Sequence, residues 1–175
     1  MIKENITIKV GILAEEPIGW GSGKHFFPLI LDNYSWHTKN KTYKFITRYM
    51  YDKDILKDKL NTNDLDVFVI PGGGVGDGES IVKGFNFFPK VKKWKKKISA
   101  FVKDGGGIIG ICGGAALITD LKTENKKPRT FLERLYNKST IDVSCISSYY
   151  KSFALPLFYL SQKKNPEKIG LSLNI

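Results

Sequence analysis

The sequence predicts an α/β protein with a mainly parallel sheet covered by helices on both faces. Three observations point there. Short apolar runs such as Asp66–Ile70, DVFVI, and Ile108–Ile111, IIGI, lack the polar alternation of a sheet with one wet face. Stretches of helical period separate these runs, the clearest at Pro89–Lys103. Glycine-rich turns follow directly on the apolar runs, at Gly72–Gly78 and around Gly110–Gly114.

The elements follow in order. Ile6–Ala14, ITIKVGILA, reads as a first strand, ended by Glu15, Glu16 and Pro17. His25–Leu31 reads as a helix if Pro28 lies in its first turn, where a missing N–H costs nothing. Tyr43–Met50, YKFITRYM, is aromatic and β-branched, a second strand. A short helix is expected over Asp52–Leu60, then the strand Asp66–Ile70, which stops at Pro71. The loop PGGGVGDGES leads to the helix Pro89–Lys103, with Val91, Trp94, Ile98 and Phe101/Val102 on one face and Gly105–Gly107 as its stop. Ile108–Ile111 is the fourth strand, and Gly113–Asp120 begins a helix.

That order describes a three-layer α/β/α sandwich of the flavodoxin-like kind. Such sheets bind ligands beyond the carboxyl ends of their strands, so Glu15/Glu16, Gly72–Gly78 and Cys112 should share one edge. Farther on, Lys122–Arg129 is a charged loop, Thr130–Leu135 a helical turn, and Ser152–Leu160 an apolar, aromatic stretch. No linker divides the chain, so residues 1–175 are read as one domain.

Composition narrows the partners. The formal charge of +11 is mostly lysine, densest in Lys90–Lys97, KVKKWKKK. Those lysines alternate with the apolar positions of a helix and include no arginine, which reads as a solvated face rather than a nucleic-acid site. Cys112 and Cys145 form neither a disulfide framework nor a metal-ligand pair, and the expectation is a reducing, cytoplasmic setting. No uncharged apolar run approaches the roughly 20 residues that span a bilayer. No metal or other cofactor is expected. Two loops resemble phosphate loops only in part. In Ile18–His25, IGWGSGKH, three residues separate Gly19 from Gly23, and His25 replaces the magnesium-binding hydroxyl. GGVGDGES puts Glu79 where the lysine belongs, and a carboxylate repels phosphate.

The stretch GGGIIGICGGAAL, Gly105–Leu117, carries the chemistry. A strand running into Gly-x-Cys-Gly-Gly and then a helix has the logic of a nucleophile elbow, a tight turn that lifts a reactive atom above the sheet. The positive end of the following helix would favour the thiolate of Cys112, and the Gly113 N–H would face the oxyanion of a tetrahedral intermediate.

IIGICGGAAL, preceded by VFVIPGGG, resembles the class I glutamine amidotransferase-like superfamily, most closely its biotin-protein ligase N-terminal-like domain. The likeness covers about residues 5–120. It implies that Cys112 is the nucleophile and that Gly73 or Gly74, with Gly113, forms the oxyanion hole. It further implies a small-molecule amide or peptide-like substrate, hydrolysed or transferred through a thioester. The family completes its triad with a histidine after the cysteine. Here His25 and His37 both precede Cys112, and the acids beyond it are Asp120, Glu124, Glu133, Asp142 and Glu167. Three readings stay open. The partner histidine lies beyond Ile175, the domain being C-terminally incomplete. Or the chain is a non-catalytic binding or regulatory module of the same fold, working with a protein partner or as a homo-oligomer. Or the partner stands upstream, as in the related protease and deglycase branch: Glu15 or Glu16 donating to the thiolate, or His25 as base. His37, beside Trp36 in SWHTKN, reads as a loop residue.

Overall fold

The computed structural model describes residues 4–14, 22–71, 88–111, 113–118, 120–122, 141–145 and 147–149. It is an α/β fold. In chain order the described elements are β1 (Glu4–Leu13), α1 (Ser22–Leu31), β2 (Ser35–His37), β3 (Lys41–Met50), α2 (Asp52–Leu56), β4 (Val67–Ile70), α3 (Phe88–Lys103), β5 (Gly107–Gly110), α4 (Gly113–Ile118), β6 (Asp120–Lys122) and β7 (Ser147–Tyr149). Five strands form a mixed sheet in the order β2-β3-β1-β4-β5. The pairings β1–β3, β1–β4 and β4–β5 are parallel, and β2 is an antiparallel edge on β3. Strands β6 and β7 pair in parallel as a separate ribbon.

Register aligns the ends of the parallel strands. Tyr49, Ile12, Val69 and Ile109 form one row across the sheet. In every case the next residue is the last of its strand: Met50, Leu13, Ile70 and Gly110. The chain therefore leaves β1, β4 and β5 from one edge.

Side chains alternate across a strand, so neighbours in sequence serve opposite faces. On one face Val10, Ile12 and Val69 pack with Phe27 and Leu31 of α1. On the other, Leu13, Met50, Phe68 and Ile70 pack with Ile55 of α2 and with Trp94, Ile98 and Phe101 of α3. This division follows from the strand order. The chain steps from β1 to β3 in one direction, then back past β1 to β4 and on to β5. Right-handed crossovers in opposite directions lay their helices on opposite faces.

Local chemistry sets the helix ends. Helix α3 closes in a Schellman motif: Gly105, at φ 98°, donates to the Val102 carbonyl, and Gly106 to that of Phe101. At α2, the Tyr51 N–H donates to Asp54 Oδ2 at 3.0 Å, so a carboxylate three residues in satisfies the first exposed donor. That helix ends at Leu56, short of the expected Leu60, and Asp58 takes a left-handed φ of 61°. Beyond the short β2, the outer edge of β3 is closed by Asp32, which accepts from the Thr47 N–H at 2.7 Å and from its hydroxyl at 2.8 Å.

Several expectations are corrected. Pro28 lies inside α1 rather than in its first turn, since the helix begins at Ser22. Asp120 belongs to β6, not to a helix, because it pairs with Ser147 from a distant part of the chain. His37 is in β2, not a loop. The stretches Thr130–Leu135 and Ser152–Leu160 lie outside the described residues.

Candidate active site

The turn after β5 is the part of the candidate site the described residues define. The Ile111 N–H donates to the Ile70 carbonyl at 3.1 Å, tying the end of β5 to the end of β4. The Gly114 N–H donates to the Ile111 carbonyl at 2.8 Å, a bond between residues three apart that ties the start of α4 to the chain leaving β5. Gly113 opens α4.

Two glycines make this approach possible. A β-carbon on Gly114 would collide with the Ile70 carbonyl oxygen and lie 2.8 Å from its carbon. One on Gly110 would lie 2.6 Å from the Gly114 oxygen and 2.8 Å from the backbone of Ala115. These obstacles are backbone atoms and cannot rotate away. Helix α4 thus begins pressed against the ends of β4 and β5, as a strand-to-helix elbow requires. Cys112 itself, Glu15, Glu16, Gly73 and Gly74 lie outside the described residues. Their chain neighbours Ala14, Pro71 and Ile111 depart from the common edge of β1, β4 and β5.

His25 is exposed on α1. Its Nδ1 lies 3.4 Å from the Tyr49 hydroxyl, and the rings meet edge to face at 6.3 Å. Tyr49 is on β3, three strand spacings from β5 in the sheet order, or about 14 Å.

His37 is held on both sides. Its Nε2 lies 3.1 Å from Ser35 Oγ and its Nδ1 3.1 Å from Thr42 Oγ1. Ser35 and His37 share a strand face because they are two residues apart, and Thr42 stands opposite His37 in the register. That spacing, S-x-H, was visible in the sequence, but its use depended on β2 being a strand. Both residues are exposed, so nothing excludes water from the pair.

Two further features bear on charge. Lys92, Lys93 and Lys96 of α3 are exposed, while Lys97 pairs with Asp58 and Lys95 with Asp142. Asp54 is buried, yet its carboxyl sits below its ordinary value of 3.8. Burial acts to raise it, but the Lys59 hydrogen bond, the Tyr51 N–H and the charges of Lys59 and Lys53 outweigh that cost. Among the described residues no three His, Cys, Asp or Glu side chains gather to hold a metal ion. None of the described helices is long and apolar enough to cross a membrane. Comparison with family models, with curated proteins and with solved structures returns no match.

Proposed function

We propose that the chain is a glutamine amidotransferase-like domain in which Cys112 is a nucleophile for an amide or peptide-like substrate. In finer architectural terms, we read the fold as a three-layer, mainly parallel flavodoxin-like sandwich. The observation that carries the reading is the fit of Gly114 against the Ile70 carbonyl, which only a glycine allows. A buried structural cysteine needs no such turn. In the proposed reaction, the Cys112 thiolate attacks the carbonyl carbon and an oxyanion forms. The N–H groups of Gly113 and of Gly73 or Gly74 stabilise it. The C–N bond then breaks as the amine takes a proton from the Glu15 or Glu16 carboxyl, and water or another acceptor attacks the acyl thioester, returning its proton to that carboxylate and releasing the Cys112 thiolate. Glu15 or Glu16, following β1, is the proposed partner of the thiolate. His25 is the more remote candidate, because its aromatic partner Tyr49 stands on β3.

Thiol labelling of the full chain tests this reading. Cys145 is a free, exposed cysteine and serves as the internal reference. Iodoacetamide should modify Cys112 faster than Cys145, and well below the ordinary thiol range of about 8.5. Glu15→Gln or Glu16→Gln should move the Cys112 profile toward higher pH. Equal, slow labelling of the two cysteines overturns the nucleophile.

The second reading is a non-catalytic binding module of the same fold. It is favoured by one fact: both histidines precede Cys112 in the chain. A reactive Cys112 that releases no ammonia from glutamine or simple amides would support it.

A further inference from the structure

Helix α1 carries apolar side chains on two sides. Phe27 and Leu31 face the sheet and pack against Val10, Ile12 and Val69. Phe26, Leu29 and Ile30, at the i, i+3, i+4 spacing of a separate helix face, are 55%, 64% and 63% exposed. The apolar surface continues past the helix. The Tyr34 N–H donates to the Leu31 carbonyl, which folds the chain back beside the last turn of α1. Tyr34 then lies against Phe45, a residue of the α1-side cluster, and Trp36 stacks on Tyr43 at 5.1 Å. Tyr43 and Phe45 are two apart on β3 and share its face. Tyr34 and Trp36 are each 53% exposed.

Two quantities point to an occupant. A large side chain offers roughly 150–250 Å² of surface, so five of them at half exposure leave on the order of 500 Å² open. That is about two thirds of one partner's share of a standard protein interface, near 800 Å², the rest being polar rim. It also sits at the upper end of the apolar patches of monomers. The second quantity is charge. A chain of net charge +11 can meet a second copy only where its cations stand clear of the seam. The exposed lysines of α3 lie on the opposite face of the sheet from α1, and Lys41, which shares the β3 face of Tyr43 and Phe45, is paired with Glu4 at 3.5 Å. Stacking α3, sheet and α1 against their counterparts puts the two lysine faces on the order of 50 Å apart at about 10 Å per layer. At physiological salt the screening length is about 8 Å, so their repulsion is negligible at that separation.

We propose that this face, Phe26, Leu29, Ile30, Tyr34 and Trp36, is a two-fold homodimer interface in which the same patch of each copy meets the other. Sedimentation of the full chain over roughly 5–200 µM tests it. The expected result is a concentration-dependent dimer whose affinity holds or rises as salt is added, since any residual repulsion is screened. Leu29→Lys and Ile30→Lys should each weaken it by roughly tenfold or more. Ile46→Lys should leave it unchanged, because Ile46 is 59% exposed but lies on the other face of β3. A monomer throughout, or a dimer indifferent to both patch substitutions, overturns the proposal. So does a monomer that Leu29→Lys strongly destabilises, because the patch is then covered by the chain itself. None of these outcomes depends on whether Cys112 is reactive.

Discussion

Helices α1 and α3 are opposites in composition and in burial. Helix α3 carries seven lysines, yet Trp94, Ile98 and Phe101 on its inner face are essentially inaccessible to water. Helix α1 is almost wholly apolar from Phe26 to Leu31, yet three of those side chains remain more than half exposed. The difference lies in pattern, not content. A helix buries the stripe that faces the sheet, and charges on the opposite side cost nothing because they keep their water. Apolar residues outside that stripe stay exposed however many there are. The lysine run is therefore good evidence for a packed helix, while the apolar run of α1 marks a surface still seeking a cover.

The sharpest way to break this contrast is to truncate one residue from each helix. Trp94→Ala should cost about 3–5 kcal/mol in urea unfolding, through lost packing around a fully buried ring and lost donation to Asp52 at 2.6 Å. Leu29→Ala should change monomer stability by less than about 0.5 kcal/mol. Equal costs would mean the two helices are buried alike.

Next come the glycines, which separate crowding from backbone strain. Gly114→Ala should cost about 1–3 kcal/mol, because its methyl meets backbone at the end of β4, and should slow Cys112 labelling as well. Gly105→Ala should cost about 1 kcal/mol without touching Cys112. Gly105 has open space around its α-carbon, and only its positive φ opposes a side chain. Loss of labelling in Gly105→Ala but not in Gly114→Ala would dissociate the elbow from the thiol.

Acid provides the last test, directed at α2, which packs with α3 beneath the sheet. The Asp54 carboxyl is held below its ordinary 3.8, so the folded state binds its proton less readily than the unfolded chain. The resulting stabilisation is complete above the unfolded value and is lost as pH falls through the lower folded one. Asp54→Asn should therefore destabilise by about 1 kcal/mol near neutral pH, with the difference from the parent shrinking as pH falls through the lowered folded value. A pH-independent difference would assign the effect to packing instead.

Elements with a strong local pattern were legible. VFVI forms the buried strand β4 because a continuous apolar run suits a sheet covered on both faces, whereas β5 runs Gly107–Gly110, one residue earlier than expected, and leaves Ile109 exposed at the sheet edge. The stop at Gly105 was legible because only glycine takes that φ without strain. By contrast, β2 is three exposed residues with no alternation to read, and β6 exists only because Asp120–Lys122 meets Ser147–Tyr149. Pro28 misled for the same reason. Local propensity opposes a proline inside a helix, but Phe27 and Leu31 on either side are anchored on the sheet.

At the candidate site the division is equally clear. Sequence alone determined the order strand, Gly-x-Cys-Gly-Gly, helix, since glycines at those positions allow a tight turn. It also determined that both histidines precede Cys112. The parallel order read from the sequence already anticipated a shared edge for β1, β4 and β5, but only the tertiary structure decided which residues align there, because register is set by pairing between strands far apart in the chain. The contact that makes Gly114 necessary is of the same kind. Ile70 lies 44 positions earlier (114 − 70), and no local pattern could bring its carbonyl there.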